Sequence, residues 1–300
     1  MEGDDRMRSL RILGRLARLI RGFRLGFLLE STRDFIDLLS IQFRKPLLKV
    51  KIDGLDLYGC LRHRSFLEHV ASGTYEPYFR ELFELSLRPG MIVVDGGAHI
   101  GLYSLLAQKT IGENIKILAF EPDPFNFFAL KYNIEKNRCQ NVLALPKALS
   151  NTVGIMTFWS SSGTIGSSLI MRKEIGKTKP ISVPVTTLDE ELPQPVSSIL
   201  VKLDIEGHEP LALKGMERTL KRADVAVCMV EVNPHALKEA QLEPKDIIQL
   251  LQCLDFKIYV IDESNRKLLP LSEKTVLDFK CNLFCIRGEK VPFHCEVYER

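Results

Sequence analysis

From residue 90 onward, apolar and polar positions along the chain alternate between two rhythms. Short apolar runs, "MIVVD", "IKILAFE", "NVLALPKAL", "SILVKLD" and "VAVCMVEV", predict strands rich in β-branched residues. Between them "LYSLLAQKT", "PFNFFALKYNIEKN", "PLALKGMERTLKR" and "PKDIIQLLQCL" repeat at helical spacing. This alternation predicts a parallel sheet with helices on both faces, closed by the strands "FKIYVID" and "NLFCIRG". It breaks over residues 153–188, where "GIMTFW" and "ISVPVTTL" flank the loop "SSSGTIGSSLI", predicting a β-hairpin insertion over the sheet.

Two segments precede this main domain of residues 90–300. Over residues 46–89, "LLKVKIDGLDLYGCLRH" predicts a hairpin turning at Asp53-Gly54, and "TYEPYFRELFELSL" a helix. Over residues 1–45, Ile12, Leu16, Leu19 and Phe23 recur beside Arg8, Arg11, Arg15 and Arg18, predicting a basic amphipathic helix in an N-terminal extension.

Charge changes the picture mainly in that extension. The formal net charge is +3, yet seven arginines lie between residues 6 and 24 with no acid among them, so the rest of the chain is slightly acidic. Such a helix either lies peripherally on an anionic membrane surface or packs on protein with its arginines solvated. Nucleic acid is not an expected partner, because no matching basic patch follows. Apolar residues at 45% suffice for a globular core, and the runs near the N-terminus fall short of the roughly 20 residues of a membrane span. Seven scattered cysteines without tight pairs, and no leader-like apolar stretch, predict a reducing, cytoplasmic compartment. Composition does not define the oligomeric state.

Asp95, Glu121, Asp204 and Glu231 each end an apolar run, so the predicted sheet places all four on one rim, where parallel sheets bind ligands. After the first of these strands comes Asp95-x-Gly97-x-His99-x-Gly101. Gly97 and Gly101 permit unusual φ angles and a close approach of backbone. The spacing misses the Gly-x-Gly-x-x-Gly of dinucleotide sites and begins with an acid. An aminoacyl nucleoside suits it better: Asp95 for an ammonium, turn amides for a carboxylate, and Glu121 for both ribose hydroxyls. The expected ligand is S-adenosylmethionine.

The blocks "VVDGGAHIGLYS", "AFEPDPFNFFALKYNI", "NVLALPKALSN", "GSSL", "TTLDEEL" and "VKLDIEGHEPLALKGM" resemble, in order and spacing, those of FkbM-family methyltransferases over residues 70 to 235. The resemblance implies a class I methyltransferase (Rossmann-like) fold with a seven-stranded, mostly parallel sheet. It also implies S-adenosyl-L-methionine as cofactor and O-methylation of sugar or polyketide hydroxyls. By resemblance Asp95, Gly97, Gly101 and Glu121 are cofactor residues, and Ala148 and Leu149 lie against the adenine. His99 stands where the family commonly has Asn, which leaves the contacts of that position open.

Methyl transfer from a sulfonium needs an aligned oxygen and a place for its proton. "KLDIEGHE" supplies Lys202, Asp204, Glu206, His208 and Glu209, with Asp204 expected near the transfer site and Glu206 or His208 as proton acceptor. The plainer alternative has Glu206 and Glu209 favouring a helix N-terminus, His208 as a surface turn residue and Lys202 orienting Asp204. Asp204, Glu231 and Asn233 form an oxygen-rich set, but "EVNPH" also reads as a strand end and turn, and no metal is expected. Cys281, Cys285, His294 and Cys295 read as strand residues and neighbours rather than a zinc site. Trp159 either faces a sugar ring or anchors the insertion. Two functions follow: a methyltransferase acting on a hydroxyl of a glycan, glycolipid or secondary metabolite, or a non-catalytic binding or assembly module that uses the basic helix.

Overall fold

The computed structural model describes residues 36–161, 178–272 and 277–288, with Arg33, Leu169 and Thr275. The chain divides into two compact units, residues 1–45 and 46–300. In the first, residues 36–42 are helical, and the Ser40 hydroxyl donates to the carbonyl of Ile36 at 3.1 Å. The arginine stripe of residues 6–24 lies outside the described residues. Among the described residues no helix is long and apolar enough to cross a membrane.

The second unit opens with the hairpin β1 (Leu48–Ile52) and β2 (Leu55–Gly59). Asp53 and Gly54 turn it with φ of 49° and 82°, the left-handed pair that matches the twist of the strands. A single tight turn, Leu61–His63, leads into α1 (Arg64–Ala71) and α2 (Pro77–Ser86). The pattern did not announce α1, because only Leu67 and Val70 on it are buried. On α2 Tyr78, Phe79, Leu82 and Phe83 are all buried.

The main sheet begins with β3 (Ile92–Gly96), α3 (Leu102–Ile111), β4 (Lys116–Phe120), α4 (Pro124–Lys136) and β5 (Val142–Leu145). A small sheet follows, from β6 (Ala148–Leu149), β7 (Gly154–Ser161) and β8 (Thr178–Thr186), in the order β6-β8-β7. The run "NVLALPKAL" is therefore not one strand: Pro146 and Lys147 separate β5, in the large sheet, from β6, in the small one. After α5 (Leu188–Glu191) the chain returns through β9 (Ser198–Leu203), α6 (Glu209–Lys214), α7 (Glu217–Arg222), β10 (Val225–Val232), α8 (Pro234–Glu239) and α9 (Pro244–Cys253). "PLALKGMERTLKR" breaks into α6 and α7 at Gly215, where a β-carbon would overlap the Ser150 carbonyl oxygen. The unit closes with β11 (Lys257–Asp262), β12 (Lys267–Pro270) and β13 (Cys281–Arg287).

Among the described residues the large sheet has eight strands in the order β12-β11-β13-β10-β9-β3-β4-β5, not the seven that the resemblance implied. The extra strand is β12, four residues ending in proline, a length and composition suited only to an edge. β10, β9, β3, β4 and β5 run parallel, and β13 enters antiparallel beside β10. Along β3 and β9 successive residues feed opposite faces: Val93 and Leu200 pack in one apolar cluster, Val94 and Val201 in the other. Both faces are therefore covered, as a parallel sheet requires. The chain leaves β3 towards β4 and β5 and later returns on the other side at β9, which puts the reversal of strand order beside β3.

Candidate active site

A cavity of ≈ 320 Å³ opens over the carboxyl ends of β4, β3, β9 and β10. Of the residues expected from the sequence, Gly97, His99, Glu121, Ala148, Leu149, Asp204, Glu206 and His208 line it; Asp95 and Gly101 do not.

The glycine turn serves the protein's own packing. Gly97 has φ 72°, and a β-carbon there would overlap the Asp204 carbonyl oxygen at the end of β9. Gly101 has φ 94°, and its β-carbon would sit 2.6 Å from a methyl of Leu130 on α4. What comes close to this backbone is therefore the neighbouring strand end and helix. The turn amides are also committed internally. Gly97 and Ala98 donate to the Phe120 carbonyl at 3.1 and 2.9 Å, Gly101 donates to the Ala98 carbonyl at 2.7 Å, and His99 donates to Glu121 Oε2 at 2.7 Å. Asp95, fully buried, accepts at Oδ2 from the amide and hydroxyl of Ser104, at 3.0 and 2.7 Å. These groups hold β3 to α3 and β4. Asp95 Oδ1 is buried without a hydrogen-bond partner, 3.8 Å from the Lys202 ammonium.

Glu121 is held from several sides. Oε2 takes the His99 amide; Oε1 takes the Asp123 amide at 2.9 Å and the Asn126 side-chain amide at 3.3 Å. Burial nevertheless outweighs these donors, and with Asp123 nearby it pushes the carboxyl up to about 8. His99, whose backbone amide makes this bond, is itself left-handed, φ 53°. The His99 ring packs edge-on against Phe66 and His63, with centroids at 4.6 and 5.0 Å, and burial lowers its pKa.

The opposite end of the cavity is acidic. Asp204, Glu206 and Glu231 bring carboxylate oxygens within 4.8 Å of one another. Lys202, buried, lies 3.8 Å from both Asp95 and Asp204 and donates to the Gly97 carbonyl at 3.1 Å. Lys280 sits 2.5 Å from Glu231 Oε1, while Glu231 Oε2 is buried without a hydrogen-bond partner. Burial, then the charge of Asp204, holds the Glu231 carboxyl well above the usual range, whereas for Lys280 the lowering effect of burial is outweighed by the Glu231 carboxylate, which raises its pKa. Lys280 arrives here because β13 is antiparallel, pairing Cys281 with Val232 at the rim. Asn233 caps α8, accepting from the Ala236 amide at 3.3 Å, which agrees with the reading of "EVNPH" as a strand end and turn.

His208 is buried rather than a surface turn residue. Its Nε2 is 3.0 Å from the Ser150 hydroxyl, and burial lowers its pKa to about 4, so at neutral pH it is an uncharged and weak proton acceptor. Glu209 turns inward too, accepting from the amides of Ile205 at 2.9 Å and Gly207 at 3.0 Å, with burial raising it to about 7. It braces the loop that presents Glu206, whose φ is 56°.

Sequence reasoning missed one wall altogether. Ser65, Phe66, His69, Tyr75 and Glu76, from the segment read as a lead-in, line the cavity. Glu76 accepts from the Tyr103 hydroxyl at 2.7 Å and the Asn282 amide at 3.2 Å. Its φ of 44° was a hidden signal, since non-glycine left-handed residues gather at sites that the surroundings over-determine. Phe158 and Leu169 line the cavity, but Trp159 does not, because neighbouring residues of β7 face opposite ways. The loop "SSSGTIGSSLI" lies outside the described residues except for Ser160, Leu169 and the backbone of Ser161, and so do His294 and Cys295. Cys281 and Cys285 belong to β13 as free thiols.

An open sheet reversing at β3, with acids on successive strand ends, defines the class I methyltransferase architecture. Residues 95–258 match the family model described as the methyltransferase FkbM domain, and the chain belongs to that family. Hexuronic acid methyltransferase AglP of Haloferax volcanii is 29% identical over 161 residues, 53% of this chain and 61% of that protein. The 31-O-demethyl-FK506 methyltransferase FkbM of Streptomyces tacrolimicus is 29% identical over 154 residues, 47% of this chain and 56% of that protein. The matched region thus spans about three fifths of the length of these curated relatives. A crystal structure of a methyltransferase FkbM from Methylobacillus flagellatus KT superimposes with TM-score 0.41 at 14% identity, covering 84% of this chain and 59% of that one.

Proposed function

We propose that the protein is an S-adenosylmethionine-dependent methyltransferase that methylates a hydroxyl of a carbohydrate, glycolipid or polyketide-like acceptor. The observation that carries it is the pairing, in one cavity, of a caged carboxyl at Glu121 with a carboxylate cluster at Asp204, Glu206 and Glu231. The residues fit the cofactor. Glu121 Oε2 accepts one hydrogen bond and keeps a lone pair for a ribose hydroxyl. Ala148, Leu149 and Phe158 offer an apolar wall suited to adenine. Lys202 and Asp204 provide opposite charges suited to the carboxylate and ammonium of the aminoacyl end.

When bound, the cofactor supplies an electrophilic methyl group. The protein aligns an acceptor oxygen opposite it and takes up the hydroxyl proton. The carboxylate cluster is suited to the second task, since burial and the charge of Asp204 raise the pKa of Glu231 within it. Glu206 lines the cavity in this cluster and is the residue assigned to the acceptor; His208 supports Ser150 instead. Both curated relatives are methyltransferases, one named for a hexuronic acid and one for a demethylated FK506, which supports an oxygen acceptor.

The test incubates the full chain with methyl-labelled cofactor and separated carbohydrate, lipid, protein and small-molecule fractions of cell extract. Label in an alkali-stable ether in a carbohydrate, lipid or small-molecule fraction is the expected result. Alkali-labile label would mark carboxyl esters and overturn the hydroxyl assignment. Absence of cofactor binding by calorimetry would favour the non-catalytic module.

A further inference from the structure

We infer that His63 and Asn126 are positioning residues that hold Glu121 in the orientation needed to grip the ribose hydroxyls; the inference rests on the reading of Glu121 given above. His63 is fully buried in the tight turn after β2, in the segment that precedes the family-matched region. Its Nδ1 accepts from the Cys60 amide at 2.9 Å, so the neutral ring carries its proton on Nε2. That Nε2 lies 2.9 Å from Asn126 Oδ1 and donates to it. The Asn126 side-chain nitrogen is thereby turned to Glu121 Oε1, to which it donates at 3.3 Å.

The direction of this chain is set at its far end by one backbone amide. A flipped Asn126 would put its NH2 against the Nε2 proton, a donor–donor mismatch. The Asn126 backbone is pinned as well, since its amide donates to Asp123 Oδ1 at 3.3 Å at the start of α4. His63 also touches the donor on the other carboxyl oxygen: its ring packs 5.0 Å edge-on against His99, whose amide donates to Oε2. Gly59 leaves the space the ring occupies, because a β-carbon there would come within 2.8 Å of His63 Cβ. Apolar side chains would fill this volume without burying four polar atoms, so the polar arrangement points to a need for directed protons.

The experiment measures, on the full chain by calorimetry, affinity for S-adenosylhomocysteine and for its 2′,3′-dideoxy analogue, with thermal melting to verify folding. The wild type is expected to prefer the hydroxylated ligand on the order of a hundredfold, and Glu121→Ala to abolish the preference. His63→Phe and Asn126→Leu are expected to reduce the preference at least about fivefold while affinity for the dideoxy analogue shifts less than about twofold. His63→Gln, which keeps a donor and an acceptor, should retain more of the preference, and with Asn126→Leu it carries the test if His63→Phe does not fold. Equal loss for both ligands would mean a merely structural role, and an undiminished preference would mean no role; either overturns the inference. A wild type without preference, unaffected by Glu121→Ala, would instead retire the ribose reading of Glu121 and the relay with it.

Discussion

The two ends of the cavity handle carboxyl groups in opposite ways. At one end Glu121 is met by three N–H donors, from His99, Asp123 and Asn126, none of them a charged group. At the other, Asp204, Glu206 and Glu231 crowd within 4.8 Å, and the counter-charges are the ammonium groups of Lys202 and Lys280. An amide N–H has one direction, so three of them fix the orientation of an acceptor. An ammonium is a compact charge on a flexible stem, which offsets charge without dictating orientation. The first arrangement suits recognition of a fixed pair of hydroxyls, the second a place where a proton arrives.

The contrast can be broken most severely at the turn joining the two ends. Gly97→Ala forces a β-carbon into the Asp204 carbonyl at a positive φ, and is expected to destabilise the fold by roughly 3 kcal/mol or more, read by denaturant unfolding. Next comes the reaction end. Glu206→Gln and Glu231→Gln should each slow methyl transfer by about a hundredfold or more while the cofactor Kd stays within about threefold. A parallel loss of affinity would show that the acidic end binds rather than reacts.

Acid–base behaviour sharpens the comparison further. Glu121 and Glu209 rise from 4.5 to about 8 and about 7 in the folded chain, so between these values the folded state binds more protons than the unfolded. Stability of the ligand-free protein should therefore fall as pH rises from about 4.5 towards 8, by on the order of several kcal/mol. Glu209→Gln should flatten the part below about 7; an unchanged slope in urea titrations would show that Glu209 is not the source. The smallest effect concerns the insertion: Phe158→Ala should weaken cofactor binding by about tenfold, and Trp159→Ala by less than about twofold. Reversed effects would put the wrong face of β7 on the cavity.

Much of this was legible beforehand, for identifiable reasons. Asp95, Glu121, Asp204 and Glu231 closed apolar runs, and parallel pairing of β10, β9, β3 and β4 puts the ends of those runs on one rim. The hairpin at Asp53-Gly54 was equally visible, since turn chemistry is local. Three features were not. The split of "NVLALPKAL" depends on which sheet each half pairs with, and β12 exists only because β11 offers it an edge. The wall formed by Phe66, Tyr75 and Glu76 depends on the folding of residues 46–89 back over the rim, which no periodicity encodes. Asp95 and His208 are both buried with partners close at hand, Ser104 and Ser150, that no spacing predicts.

By itself, then, the amino-acid order determined the sheet, its rim of acids, the glycine turn and the family, because these follow from periodicity and from short motifs that act through neighbouring residues. Tertiary structure alone decided which acids face the cavity, why the glycines are bare and what orients Glu121. Those outcomes depend on atoms brought together from distant parts of the chain, such as Gly97 with Asp204 and His63 with Asn126, and burial then sets the charge each group can hold.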